Sequence, residues 1–79
     1  MITVKDLLNK IKWGSGLNPA DYDVFYLDRV ANRLIKIKFN EIKTVENNFF
    51  ETQDKSIPLH RIRKIENKGE VIWERIMKS

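Results

Sequence analysis

The eight residues Ser56 to Arg63, Ser-Ile-Pro-Leu-His-Arg-Ile-Arg, set the chain's single histidine between apolar side chains and beside two arginines. Planar guanidinium forks donate paired hydrogen bonds to phosphate or carboxylate oxygens, and an imidazole, which titrates near neutrality, adds a further donor. His60, Arg61 and Arg63 therefore suit an anionic ligand, and they specify no reaction. Ile57, Leu59 and Ile62 turn part of the segment towards a core, while Pro58, which lacks a backbone donor, belongs on an edge strand or at a first strand position. Apolar residues at 57, 59, 62 and 65 do not keep a period of two, so the strand expected from Ile57 to Asn67 should carry a bulge near His60 to Ile62. Arg61 and Arg63 share one face of a regular strand, and His60 joins them only if the bulge re-aims it. The competing reading is structural: His60 bonds a backbone group, and the arginines pair with Glu66, Glu70 or Glu74 across the sheet.

Much chemistry is excluded. One histidine cannot divide the roles of base and acid between two imidazoles, as two-histidine phosphodiester chemistry requires. The absence of cysteine removes disulfides, thiolate zinc sites and a cysteine nucleophile, and the scattered acids show no metal-ligand spacing. Gly14-Ser15-Gly16 follows a helical pattern and lacks the lysine of a phosphate loop. The expectation is a non-enzyme with no metal and no cofactor; a small phosphoesterase would have to rest on His60 alone.

Seventy-nine residues make a single domain over residues 1–79 with a small core, and 42% hydrophobic residues in short runs make it globular. No apolar run approaches a membrane span, and Met1 to Trp13 carries charges at helical spacing in place of a signal peptide's apolar block, so the expected location is the cytoplasm. The net charge is +4. Residues 1–39 hold seven basic and four acidic side chains, 40–56 hold two and four, and 57–79 hold six and three. Both ends are basic and the middle connection is acidic, a balance that suits nucleic-acid binding and also the Lys-rich surface of a thermophile protein.

The elements that must position the anion-binding segment follow from periodicity. Thr3 to Lys12 reads as a helix, with Thr3 as N-cap, Asp6 in a capping-box position, Ile2 stapling onto Leu7, and Val4, Leu7, Leu8 and Ile11 on one stripe. Gly14 and Gly16 end it, leaving Trp13 either to cap the core's edge or to offer a stacking surface for a base. Asp21 to Val30 reads as a central strand, joined through Ala31-Asn32 to a half-buried strand Arg33 to Phe39 with Ile35, Ile37 and Phe39 inward. Asn40 to Asn48 is expected to give one or two helical turns, Phe49 to Thr52 a short strand, and Asn67-Lys68-Gly69 a hairpin turn into a return strand Glu70 to Ile76. The expected architecture is α+β: an N-terminal helix packed on an antiparallel sheet of four to five strands, with a short helix in the middle connection.

Four segments, Asn9-Lys10-Ile11-Lys12-Trp13, Tyr26-Leu27-Asp28-Arg29, Ile57-Pro58-Leu59-His60-Arg61-Ile62-Arg63 and Gly69-Glu70-Val71-Ile72-Trp73-Glu74-Arg75, occur in order and spacing across nearly the whole chain. In these the sequence resembles a small, mainly archaeal uncharacterised protein family known as the RNA cyclic group end recognition domain. The resemblance implies a role in RNA processing or repair: recognition of RNA ends bearing a 2′,3′-cyclic phosphate, with Trp13, Asp28, Arg29, His60, Arg61, Trp73 and Arg75 as candidate residues. Glu74 stands where the family's last motif has Asp. Taken with the residues, the expectation is an RNA-binding module in which His60, Arg61 and Arg29, with Arg63, Asp28 and Arg75, surround a terminal phosphate while Trp13 or Trp73 stacks on a base. Its partners would be single-stranded RNA ends and a trans-acting RNA-processing enzyme. The alternative is a protein-interaction module that docks on such an enzyme.

Overall fold

The computed structural model describes residues 3–14 and 16–75. The architecture is α+β. Helix α1 (Val4–Trp13) starts where expected, with the Thr3 hydroxyl accepting the Asp6 N–H at 3.1 Å. Leu8 and Ile11 from its apolar stripe are fully buried. The helix stops at Gly14 because of a close approach and not a positive φ: Gly14 is extended (φ −72°), its N–H reaches the Lys10 carbonyl at 2.7 Å, and any Cβ would collide with that oxygen. The Ile2 staple and the end of the last strand fall outside the described residues.

Two hairpins build a four-stranded antiparallel sheet. Strands β1 (Tyr22–Asp28), β2 (Arg33–Lys38), β6 (Ile62–Asn67) and β7 (Glu70–Glu74) lie in the order β2-β1-β6-β7. Directly opposed residues share a face, so cross-strand rows form: Ile37, Val24, Ile65 and Trp73 in one, Ile35, Tyr26 and Ile62 in the next. Both rows point at α1 and the rest of the core, whereas the other face of β1 is half-buried, with Lys64 Nζ 4.5 Å from the Phe25 ring centroid. The β6–β7 turn has Lys68 at φ 52° and Gly69 at φ 85°, the pair of left-handed residues that a two-residue hairpin requires.

The middle of the chain departs from the sequence expectation. The helical turn of the connection is a single 3₁₀ turn, Phe39–Glu41, and the segment expected to continue it pairs instead as strand β3 (Thr44–Val45). With β4 (Phe49–Glu51) and β5 (Ser56–Pro58) it forms a second, three-stranded sheet, which the sequence did not separate from the first. Likewise the strand expected from Ile57 to Asn67 is two strands in different sheets, β5 and β6, split by a 3₁₀ turn Leu59–Arg61. The three-residue interval between buried Leu59 and buried Ile62 is the period of a 3₁₀ turn, and Pro58 at φ −60° sets its start on an edge strand. A bulge also exists: Phe25 faces Lys64 and Tyr26 faces Ile62, which leaves Arg63 as the extra residue.

Candidate functional site

Where β5 begins, beside the C-terminal end of β1, two adjoining cavities open between the inner face of the first sheet and the segments that flank the second. They share Tyr26, Lys55 and Ile57 as lining residues, so they lie side by side. The smaller, of about 370 Å³, is lined by Tyr26, Asp28, Lys55, Ser56, Ile57 and Arg61. Tyr26 and Asp28 reach it because strand residues two apart point the same way. Arg61 reaches it from the end of the 3₁₀ turn, and Lys55 and Ser56 from the start of β5. The larger, of about 680 Å³, runs on past Ile35 and Ile37 to the 3₁₀ turn at Asn40 and Glu41 and to Lys43.

The charges of the smaller cavity are two cations against one acid. The Arg61 Nε is buried and has no hydrogen-bond partner among the described residues, an unmet donor of the kind that native structures rarely leave unexplained. Asp28 is committed to the protein itself: one carboxylate oxygen accepts from Val30 N–H at 2.9 Å and Ala31 N–H at 3.1 Å, closing the β1–β2 turn. Its carboxyl is held below the ordinary value near 3.8, chiefly by the Ala31 N–H; desolvation opposes this, and the Val30 N–H and the positive charges of Lys55 and Arg33 add to it. A carboxyl whose folded pKa is depressed stabilises the fold fully above its unfolded value and loses that contribution as pH falls through the folded one. The stability difference between the protein and Asp28→Ala should therefore shrink as urea melts are taken from neutral pH to below the carboxylate range. A constant difference would mean that the ionised carboxylate is not what holds the turn.

The other sequence candidates are distributed differently. His60 is exposed and lines neither cavity, and its carbonyl accepts from Arg63 Nη1 at 2.7 Å. Arg75 donates through Nε to the Ile62 carbonyl at 3.1 Å and through Nη2 to the Leu59 carbonyl at 3.5 Å, with its guanidinium 5.3 Å from the Trp73 ring centroid. Arg63 and Arg75 thus brace the 3₁₀ turn that carries Arg61, through backbone oxygens and not through the glutamates weighed above. Trp73 is half-buried beneath Arg75. Arg29 is exposed in the turn after Asp28, outside both cavities. Arg75→Met, which keeps the cover over Trp73 but removes both donors, should cost about 1–3 kcal/mol in urea melts, and Arg75→Lys should not restore it for want of the fork. Unchanged midpoints would show that the brace contributes nothing.

Trp13 does not cap the core's edge: it is 77% exposed. Lys12 Nζ lies 5.8 Å from its ring centroid and donates to the carbonyl of Lys43 at 2.5 Å, and the indole itself lines neither cavity. Sequence reasoning missed Tyr26, Lys55 and Ser56 as lining residues. The signal for two of them was slight but present, since Lys55 and Ser56 adjoin the segment that contains Arg61.

A family model described as the MJ1316 RNA cyclic group end recognition domain matches residues 1–75. The chain belongs to this family. Members similar to it are uncharacterised UPF0248 proteins: one from Metallosphaera sedula is 39% identical over 75 residues, covering 94% of each chain. One from Saccharolobus islandicus is 37% identical over 78 residues, covering 91% of this chain and 98% of the relative. One from Methanococcus maripaludis is 35% identical over 74 residues, covering 91% and 97%. No solved structure matches. Among the described residues no three His, Cys, Asp or Glu side chains cluster as a metal site. No described helix is long and apolar enough to cross a membrane.

Proposed function

We propose that this chain is a small RNA-binding module, without catalysis of its own, that seats RNA ends bearing a 2′,3′-cyclic phosphate in the smaller cavity during RNA processing or repair. The observation that carries this reading is that Arg61, whose guanidinium keeps a buried, unpartnered Nε, lines a concave site together with Lys55, within a chain of this family. Nε–H and a neighbouring Nη–H form one edge of the guanidinium, the pair that matches the two non-bridging oxygens of a cyclic diester. Two cations against Asp28 leave one net positive charge, which suits the single negative charge of that diester. Ser56 supplies a hydroxyl donor. Chemistry on the bound end would belong to a trans-acting enzyme in the cytoplasm.

An NMR titration of labelled protein with two short RNAs, identical except for a cyclic phosphate or a hydroxyl at the 3′ end, tests it. The expected result is saturable shifts at Tyr26, Asp28, Lys55 and Arg61 with the cyclic end only. Equal, weak shifts spread over surface lysines with both RNAs would reduce the interaction to general electrostatics and sink end recognition. No shifts with either would favour the docking alternative, for which Val71 and Ile72, 45% and 42% exposed on edge strand β7, offer apolar surface at a free sheet edge.

A further inference from the structure

We infer that the larger cavity is the pocket for the terminal nucleobase and that it selects a base carrying an exocyclic amino group; this rests on the reading that the smaller cavity holds the terminal phosphate. The two cavities share Tyr26, Lys55 and Ile57, so the larger space adjoins a phosphate seated against Arg61 and is the neighbouring concavity open to its base. The floor there is apolar, made by Tyr26, Ile35, Ile37 and Ile57, as a heterocycle's face requires.

The charge balance argues against a second phosphate. Glu41 and Asp54 line this cavity together with Lys43 and Lys55, and once Lys55 serves the terminal phosphate the acids outnumber the remaining cation. Each acid keeps an acceptor in hand. Asp54 Oδ1 is engaged only by the Thr52 hydroxyl at 3.3 Å, and Glu41 Oε2 by the Lys38 N–H at 2.9 Å, so the second oxygen of each carboxylate has no partner among the described residues. The side-chain amides of Asn40 and Gln53, which also line it, are likewise without partners among the described residues and carry both donors and acceptors. Adenine and cytosine each present an amino donor beside a ring acceptor, whereas uracil presents carbonyl acceptors where the amino group would be. A carboxylate rewards the amino group and repels the carbonyl.

Fluorescence anisotropy with three short RNAs, identical but for a terminal adenosine, cytidine or uridine 2′,3′-cyclic phosphate, decides the matter, with hydroxyl-ended counterparts run alongside. The adenosine and cytidine ends should bind about tenfold tighter than the uridine end, the size of one hydrogen bond to a charged acceptor. Asp54→Ala should bring the adenosine-ended affinity down towards the uridine-ended one. Equal affinity for all three cyclic ends, each tighter than its hydroxyl counterpart, would overturn base selection while end recognition stood. Cyclic and hydroxyl ends binding alike would overturn both. A uridine preference, or a gap that persists in both Asp54→Ala and Glu41→Gln, would overturn the assignment of the acids.

Discussion

Arg61→Ala should weaken binding of a cyclic-phosphate RNA end by at least tenfold and leave the fold's stability within about 1 kcal/mol. The two effects part company because of how Arg61 is placed. Its Nε is buried without a partner among the described residues, so the free protein already bears the cost of desolvating that donor. A charge-assisted hydrogen bond is worth about 1.5–3 kcal/mol, and a bidentate contact adds to that. Removing the side chain forfeits this in the complex while relieving an unmet donor in the free state. If Arg61 neutralises one phosphate, the slope of log affinity against log salt should fall by about 0.7–0.9. Arg61→Lys discriminates further: it should keep the salt slope, being still a cation, but lose affinity for want of the planar edge. Affinity and slope that both survive Arg61→Ala would remove the residue from the site. A large loss of stability in urea melts would recast it as a structural arginine like Arg75.

The difference between Arg61 and its neighbours marks what could be read from the amino-acid sequence. The α1 stripe, the β1–β2 pairing and the β6–β7 turn follow from local periodicity and turn chemistry. However, β1 stops at Asp28 and not at Val30, so that its turn is Arg29 to Asn32 and not Ala31-Asn32 alone, with Asp28 accepting the Val30 and Ala31 N–H groups. Arg61, Asp28 and the exposed Trp13 were also legible as candidates, from residue type and from the family motifs. Which arginine faces the cleft was not. A strand model puts Arg61 and Arg63 on one face, but the 3₁₀ turn Leu59–Arg61 and the bulge at Arg63 turn them apart, and Arg63 bonds the His60 carbonyl. That turn is fixed by long-range packing: Leu59 donates its N–H to the Asn48 carbonyl at 2.9 Å, and Arg75 reaches back across the sheet to Leu59 and Ile62. Local spacing carries no trace of either partner. Lys55 and Ser56 were missed for the same reason, since only the pairing of β5 with β4 brings them opposite Tyr26 and Asp28. Strand β3 was missed because Thr44–Val45 is too short to show a period.

Phe50→Ala should be the most damaging single core substitution, costing about 3–5 kcal/mol in urea or thermal melts. Phe50 is fully buried at the centre of β4, opposed by Val45 on β3 and Ile57 on β5, so its ring is the hinge between the second sheet and the common core. A 79-residue domain has only about 4–12 kcal/mol of stability in total, so the loss is a large share of it. The second sheet has little else to hold it, its strands being two or three residues long. Phe50→Leu, which refills most of the volume, should cost less than about half as much. The shape of the transition carries the functional consequence. A single cooperative melt in Phe50→Ala, lowered in midpoint, would show that both sheets fold as one unit and that the cleft walls are held by the global stability. Loss of the β3–β5 amide protection while β1, β2 and β6 stay protected would show the second sheet opening on its own. RNA binding would then be coupled to that opening, because Lys55 and Ser56 leave the cleft whenever β5 detaches, and a cyclic-phosphate RNA would restore the protection in proportion to its concentration over Kd.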